Sequence, residues 1–302
     1  MEGSKYPISV LWNFGYQCNM NCLHCYSRPE AKKRHEKMTD DEAMKIADEI
    51  IKSRALHVHF GGGEPLMRKD FLSIASKIRQ SGLTVSFSTN GTFLSQKLAD
   101  QIADIPINVV GVSIYGSNNT THDAFTRYPG SFDGLIKACK YLKNSGVRQK
   151  FVVILCKKTV TEAVKIIRLA SGLNIDGVQF YTLKFSGNAI KRINQLRLSP
   201  DEWKIAYERI FSEAEKKPQL NIDFGLDNDP LVAGYLGRPF TSCPCGKYSI
   251  VVRPSGDVSA CGVAVNIIGN VHNQSLLDIW ENSPELLAIR SGGKNPCQNL
   301  RT

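Results

Sequence analysis

The fold is decided by the apolar run Ile8-Ser9-Val10-Leu11-Trp12 and the loop that follows it, Cys18-Asn19-Met20-Asn21-Cys22-Leu23-His24-Cys25. The run predicts a first buried strand, and the loop places three cysteines within eight residues. Cysteine thiolates are soft ligands that suit zinc or iron–sulfur clusters. A fourth protein ligand is not evident nearby, so a metal site on this loop would keep one position open.

Downstream of the loop, apolar strands alternate with amphipathic helices. The pattern predicts five further strands, near residues 56–60, 84–88, 109–114, 151–155 and 178–183. Alternation of this kind indicates right-handed crossovers and a parallel sheet. Six units are too few for a closed eight-stranded barrel, so the predicted fold class is α/β, with a partial (β/α)6 TIM barrel.

Four polar loops follow strands of this predicted sheet. They are the cysteine loop, Gly61–Pro65, Ser88–Gly91 and Ser113–Gly116. Because the carboxyl ends of parallel strands lie at one edge of a sheet, these loops should meet there. The sequence therefore predicts a functional site at that edge.

The C-terminal part of the chain differs in kind. A linker helix is predicted to begin at Ser199-Pro200, where Ser199 is a suitable N-cap. Beyond it, Cys243-Pro244-Cys245 precedes a predicted β-hairpin that turns at Pro254-Ser255-Gly256. We therefore predict a core domain over residues 1–190 and a small α+β domain over residues 191–302.

Composition narrows the classes of function. The net charge of +10 is spread along the chain, without the basic stripe and interleaved aromatic residues typical of nucleic-acid binders. No run of 18 apolar residues and no signal peptide is evident, so no membrane association is expected. Nine cysteines, an odd number unevenly placed, favour metal ligation in a reducing cytoplasm over a disulfide framework.

The cysteine loop allows two interpretations. Zinc could use His24 as a fourth ligand, but His24 adjoins Cys25, and neighbours on a tight loop do not easily reach one ion. The alternative is a cubane cluster with one iron free for a ligand. The turn Gly61-Gly62-Gly63-Glu64-Pro65 favours the cluster, because glycines let a ligand approach the backbone and its N–H and C=O groups. His57 and His59 alternate on a strand, and we expect satisfied polar contacts there.

Cys18, Cys22 and Cys25, together with the Gly-Gly-Glu-Pro sequence of residues 62–65, resemble the radical S-adenosylmethionine (SAM) superfamily. The six βα units resemble its partial TIM barrel. The resemblance implies that the three cysteines hold a [4Fe-4S] cluster whose fourth iron is chelated by SAM. It also implies reductive cleavage of SAM to a 5′-deoxyadenosyl radical, which abstracts a substrate hydrogen.

The resemblance implies further SAM contacts. Gly62, Gly63 and Glu64 match the turn at the methionine amino group, and His24 matches a position near adenine. The remaining contacts implied are Ser88, Asn90, Ser113 and Arg127, which match positions near the ribose and the methionine carboxylate. Many relatives have Ser-Ile-Asp-Gly where this chain has Ser113-Ile114-Tyr115-Gly116, so no carboxylate acts at residue 115. Strand-end capping is the alternative role for the two serines and Asn90.

The C-terminal cysteines resemble those of the SPASM or twitch extension. The features that match are the hairpin before Cys261, Gly269-Asn270-Val271, and Leu277 with Trp280. Four cysteines, the number a single cubane needs, are present: Cys243, Cys245, Cys261 and Cys297. The resemblance implies a second, auxiliary [4Fe-4S] cluster on these four, with zinc or no metal as alternatives. The close Cys243/Cys245 pair strains a cubane, so one of the two can be a bystander.

The resemblance implies an enzyme, with modification of a peptide or protein as the leading function. No leader-recognition domain is expected before residue 6, which keeps two other radical SAM functions open: a step in haem or tetrapyrrole synthesis, and dehydrogenation or epimerisation of an aminoglycoside-like small molecule. The implied partner is an electron donor such as flavodoxin or ferredoxin, which would suit a basic surface. A non-catalytic metal-binding scaffold is the competing class, and it leaves the glycine turn unexplained.

Overall fold

The computed structural model describes residues 3–27, 38–224, 243–263 and 266–293. Its strands are β1 (Ser9–Asn13), β2 (His57–Gly61), β3 (Thr84–Thr89), β4 (Val109–Ser113), β5 (Gln149–Leu155), β6 (Gly177–Thr182), β7 (Asn221–Phe224), β8 (Ser249–Val252), β9 (Asp257–Ser259) and β10 (Gly269–Asn270). Its helices are α1 (Asp40–Lys52), α2 (Phe71–Gln80), α3 (Gln96–Asp104), α4 (Asn119–Thr126), α5 (Ser131–Asn144), α6 (Ala163–Leu173), α7 (Ile193–Leu196), α8 (Pro200–Glu215), α9 (Leu276–Asn282) and α10 (Pro284–Arg290).

The strands form one sheet in the order β10-β9-β8-β1-β2-β3-β4-β5-β6-β7. Strands β8 and β1 to β7 are paired in parallel, and β9 and β10 add an antiparallel edge. The six predicted βα strands are all present and in sequence order, which confirms the partial (β/α)6 barrel. The predicted C-terminal hairpin is present as β8 and β9.

The two faces of the sheet have different chemistry. On β2, Val58 and Phe60 are fully buried and face the helices, whereas His57 and His59 alternate with them and point to the inner face. The helix side is an aromatic core, in which the rings of Trp12 and Phe14 are 4.9 Å apart. The inner face is therefore polar, and its carboxyl edge lies where the sequence predicted a site.

Local signals set several helix boundaries. Thr39 and Glu42 form a reciprocal capping box at the start of α1, and Ser199 and Glu202 form another at the start of α8. Helix α8 therefore begins where the sequence predicted, directly after Ser199. Among the described residues, no helix is both long enough and apolar enough to span a bilayer.

Two features of the sheet were not predicted. Strand β7 has only four residues and extends the sheet beside β6. Strand β8 pairs along β1, with Ser9 opposite Ser249 and Trp12 opposite Val252, so the C-terminal hairpin continues the core sheet. Both depend on contacts between residues far apart in sequence, which local patterns do not encode. The boundary between domains at residues 190 and 191 stays a prediction.

Candidate functional site

A cavity of about 220 Å³, open to solvent, lies at the carboxyl edge of the sheet. It is lined by the loops that follow β1, β2, β3 and β4, as the sequence predicted. The lining residues are Leu11, Cys18, Met20, Cys22, His24, Cys25, Tyr26, Ser27, His59, Gly61, Gly62, Gly63, Glu64, Ser88, Thr89, Asn90, Ser113, Tyr115 and Thr126.

All three cysteines of the first loop reach this cavity, and each is half-buried. The backbone of α4 holds the loop, because Asn21 N donates to Thr126 O (3.2 Å) and Leu23 N donates to Phe125 O (3.1 Å). Met20 N donates to Cys18 Sγ over 3.4 Å. A thiolate accepts such a bond well, so the loop is prepared to hold deprotonated sulfur.

Among the described residues, no group of three His, Cys, Asp or Glu side chains surrounds a point that could hold a single metal ion. A tetrahedral zinc site needs such convergence. In a cubane each cysteine binds a different iron, so the thiols stand further apart around a larger group. The arrangement of Cys18, Cys22 and Cys25 on the cavity wall therefore fits a cluster better than a zinc ion.

The glycine turn is packed against the chain that leads into the cysteine loop. Gly63 N donates to Gly15 O (2.7 Å), and Glu64 N donates to Gln17 O (2.8 Å). A Cβ on Gly63 would lie 2.1 Å from Gln17 O, and Gly62 has a φ of +98°. Glycine is therefore required here first for contact between two segments of the protein itself, and the turn then presents its other side to the cavity.

Glu64 connects the glycine turn to the end of β3. Its carboxylate accepts hydrogen bonds from Thr89 Oγ1 (2.8 Å), Asn90 N (2.8 Å) and Leu66 N (3.2 Å). Burial raises the pKa of the Glu64 carboxyl to about 7, although these hydrogen bonds favour the ionised form. A cationic group in the cavity would stabilise the carboxylate, since it would offset the cost of burying the charge.

Asn90 is oriented by its neighbours. Its side-chain nitrogen donates to Asn19 Oδ1 (2.9 Å) and its side-chain oxygen accepts from Thr92 N (3.0 Å). This ties the end of β3 to the cysteine loop. Ser88 and Ser113 also line the cavity, at the ends of β3 and β4. Three implied contacts, Ser88, Asn90 and Ser113, are thus brought together with the cysteines.

His24 lies in an aromatic pocket on one wall of the cavity. Its ring stacks on Phe125 with centroids 5.3 Å apart and lies 4.8 Å from the ring of Tyr115. Burial lowers the pKa of His24 to about 4, so the imidazole is neutral at pH 7. His24 Nδ1 is buried and without a hydrogen-bond partner among the described residues. An unpaired buried nitrogen at a cavity wall fits a polar ligand.

Arg127 is placed differently from the other implied contacts. It ends α4 in a left-handed conformation, with φ of 58°, and it is exposed and not among the residues that line the cavity. Its neighbour Thr126 lines the cavity instead. The carboxylate contact implied for Arg127 stays a prediction that this arrangement does not support.

Three C-terminal cysteines come together. Buried Cys261 is in contact with Cys243, Cys245 and Val263. The backbone of Cys245 forms an isolated parallel β-bridge with Ser249 at the start of β8. Cys297 lies outside the described residues. Cys139 and Cys156 are buried in the core, and burial raises the pKa of the Cys139 thiol to about 12. The soft donor set of the tail fits the implied cluster.

Several cavity residues were not singled out from the sequence as contacts. Met20, Thr126 and Tyr115 line the cavity, and Tyr115 OH lies 3.4 Å from His24 Nε2. Tyr115 was noted only because it departs from the family pattern, and that departure was itself the available signal. Thr126 reaches the cavity through α4, a helix that the sequence did not predict.

Comparison with known proteins agrees with this arrangement. The model of the Radical SAM superfamily matches residues 12–170, and that of SPASM, an iron–sulfur cluster-binding domain, matches residues 243–299. Fe-coproporphyrin III synthase of Methanosarcina barkeri is 28% identical, over 94% of this chain and 76% of its own. Mycofactocin maturase MftC of Mycolicibacterium smegmatis is 26% identical, over 96% and 74%.

Among solved structures, Streptococcus suis SuiB has the same fold. Bound to its precursor peptide SuiA it aligns with a TM-score of 0.80, at 16% identity, over 96% of this chain and 68% of that chain. Bound to S-adenosylmethionine it aligns with a TM-score of 0.79 over 95% and 68%. At this level of identity the likeness concerns the fold.

Proposed function

Because this chain belongs to the radical SAM superfamily, we propose that it is a radical SAM enzyme whose cavity binds a [4Fe-4S] cluster on Cys18, Cys22 and Cys25. The observation that carries this assignment is that the three thiols line the same cavity as the glycine turn and the ends of β3 and β4. When bound, the cluster and SAM supply a one-electron cleavage that yields a 5′-deoxyadenosyl radical able to abstract a substrate hydrogen.

The residues around the cluster site would bind and orient SAM. Neutral His24 presents Nδ1 beside a flat aromatic wall, which suits a purine. Glu64 supplies a negative charge close to the glycine turn, which suits an ammonium group. Asn90, Ser88 and Ser113 supply hydroxyl and amide groups for the sugar and the carboxylate. Apolar Leu11 and Met20 line the same cavity and would limit the access of water to the reacting atoms once SAM is bound.

An auxiliary [4Fe-4S] cluster is assigned to the C-terminal cysteines. The support is the match to an iron–sulfur cluster-binding domain over residues 243–299 and the packing of Cys243 and Cys245 against Cys261. Cys297 would supply the fourth ligand. A flavodoxin or ferredoxin would supply the electron for SAM cleavage.

The substrate proposed first is a peptide. Mycofactocin maturase resembles 96% of this chain. SuiB, which has the same fold, was solved with a precursor peptide. A tetrapyrrole is the second candidate, because a relative with 28% identity is an Fe-coproporphyrin III synthase. Either substrate, a peptide or a tetrapyrrole, would bind against the polar inner face of the partial barrel.

The assay for this function is 5′-deoxyadenosine formation. After anaerobic reconstitution with iron and sulfide, the protein should bind about eight irons, two cubanes of four, and form 5′-deoxyadenosine from SAM and a reductant. Cys22→Ala should abolish the product, and Cys139→Ala, a matched control in the core, should not. If the wild type forms none while holding its iron, the assignment is wrong. A peptide encoded beside the gene and an iron coproporphyrin, each tested for a mass change, would separate the two substrate classes.

A further inference from the structure

A continuous chain of hydrogen bonds runs along the inner face of the sheet, away from the cavity. Ser88 Oγ lies 3.0 Å from His59 Nε2, and His59 Nδ1 lies 2.8 Å from Ser86 Oγ. Ser86 Oγ also lies 2.8 Å from His57 Nε2, and His57 Nδ1 lies 2.9 Å from Ser9 Oγ. We call these five residues the relay. Its cavity end is Ser88, and its far end is Ser9, the half-buried first residue of β1.

The strand register builds the relay. Ser9 of β1 lies opposite His57 of β2, and His59 of β2 lies opposite Ser86 of β3. Because side chains two residues apart on a strand share a face, every member points inward. Gly111 of β4 lies beside Ser88, and a Cβ there would be 3.1 Å from Ser88 Oγ. The absence of that side chain leaves the Ser88 hydroxyl room to turn.

The chemistry of the links allows two directions. A neutral imidazole has one N–H donor and one bare acceptor nitrogen, and a hydroxyl donates once while accepting as well. Each of the four hydrogen bonds in the relay therefore contains one proton. All four can form whether every donor points towards Ser88 or every donor points towards Ser9. Burial lowers the pKa of His59 to about 3 and also lowers the pKa of His57, so both rings are neutral at pH 7.

Charged groups nearby also favour the neutral form of His57 and His59. Lys150 of β5 faces the two histidines, and its positive charge further lowers their pKa. Asp223 of β7 faces Lys150 and interacts with it. No charge is needed on the relay itself. A hydrogen-bonded chain of neutral groups with two equivalent directions has the form of a proton path.

We propose that the relay conducts protons between the cavity and solvent at the amino-terminal edge of the sheet. This rests on the proposed function, because bound SAM and substrate would cover the mouth of the cavity and displace the water there. A proton arriving at Ser88 Oγ displaces the hydroxyl proton of Ser88 to His59 Nε2.

The remaining steps follow in turn. His59 Nδ1 gives its proton to Ser86 Oγ, the Ser86 hydroxyl protonates His57 Nε2, and His57 Nδ1 protonates Ser9 Oγ. The Ser9 hydroxyl proton leaves to water. One proton enters and one leaves, each ring exchanges its N–H between nitrogens, and no electron moves. The relay then points the other way and can deliver the next proton inward.

Nitrogen NMR on the protein labelled at histidine tests this without activity. In the cofactor-free wild type between about pH 6 and 8, the ring nitrogens of His57 and His59 should show shifts averaged between N–H and bare nitrogen. In Ser9→Ala the far link is lost, and each ring should settle in one tautomer. A single fixed tautomer in the wild type would overturn the proposal.

Exchange with D2O supplies a second readout. With the cluster and SAM bound and no reductant, Ser9→Ala should slow exchange of the His59 ring proton about tenfold, as expected for a barrier raised by about 1.4 kcal/mol. Ser9→Thr keeps the hydroxyl and should restore the rate. Thr84→Val is the matched control, since its hydroxyl donates to Leu56 O outside the relay. Equal rates for Ser9→Ala and Thr84→Val would overturn the proposal. Failure of SAM to bind would instead count against the proposed function, and the tautomer test would still decide the relay.

Discussion

The buried carboxyl of Glu64 predicts an unusual dependence of stability on pH in the cofactor-free protein. Glu64 is only 4% exposed, and burial raises its pKa to about 7. In the unfolded chain a glutamate has a pKa of about 4.3. The folded state therefore retains a proton that the unfolded state loses. The stability that this proton contributes is complete below about pH 4 and is lost as pH rises through about 7.

The magnitude follows from the size of the shift. The pKa rises from the ordinary glutamate value of about 4.5 to about 7, and each unit corresponds to about 1.36 kcal/mol. Between about pH 5 and 8, deprotonation of Glu64 should therefore lower the free energy of unfolding by about 3 kcal/mol. The carboxyl is almost fully buried, so screening by solvent does not reduce this figure.

Urea unfolding followed by circular dichroism measures the effect. The wild type should lose about 3 kcal/mol relative to Glu64→Gln over that pH range, because the amide does not titrate. Glu162→Gln is the matched control. Burial acts to raise the pKa of Glu162, but hydrogen bonds from Lys165 and Ser117 outweigh it and lower the pKa to about 2. Glu162 is thus ionised throughout, and its substitution should shift stability equally at each pH. If the wild type and Glu64→Gln give parallel profiles, the reasoning about Glu64 is refuted.

Two further predictions concern the metal sites and the glycine turn. Replacing Cys18, Cys22 and Cys25 together with alanine should leave roughly half of the iron, the four irons of one cubane, in a colorimetric assay, and a protein without iron would contradict the auxiliary cluster. Gly63→Ala should lower the melting temperature and abolish SAM binding in equilibrium dialysis, since its Cβ would lie 2.1 Å from Gln17 O. Gly172→Ala is the matched control, because Gly172, like Gly63, has no positive φ, and its added Cβ would meet nothing within 4 Å.

The parts of this fold that the sequence predicts are those set by local patterns. Strands β1 to β6 are dense in apolar residues, and the capping boxes at Thr39 and Ser199 fix two helix starts. The gathering of Cys18 with Gly62 and Asn90 follows from parallel topology alone, because carboxyl ends of strands share an edge.

The parts that the sequence did not predict depend on distant contacts or on single backbone conformations. Pairing of β8 with β1 joins residues about 240 positions apart in sequence, such as Ser9 and Ser249. The stack of His24 on Phe125 requires α4 to lie across the cysteine loop. Arg127 is exposed, and it ends α4 with a positive φ, a conformation that its residue type does not indicate.

The pairing of β8 with β1 also bears on how the two cysteine groups can work together. Leu11 of β1 lines the cavity, and a Cβ on Gly262, next to Cys261, would lie 3.5 Å from the Leu11 side chain. The tail cysteines and the cavity are therefore joined through one strand and its ladder of hydrogen bonds, and not only through the segment that connects them in sequence. A cluster held by the tail would keep a fixed position relative to the first cluster, since sliding it would break the β1–β8 ladder. A fixed separation would keep the rate of any electron transfer between the two centres constant, and the β1–β8 ladder would provide that separation.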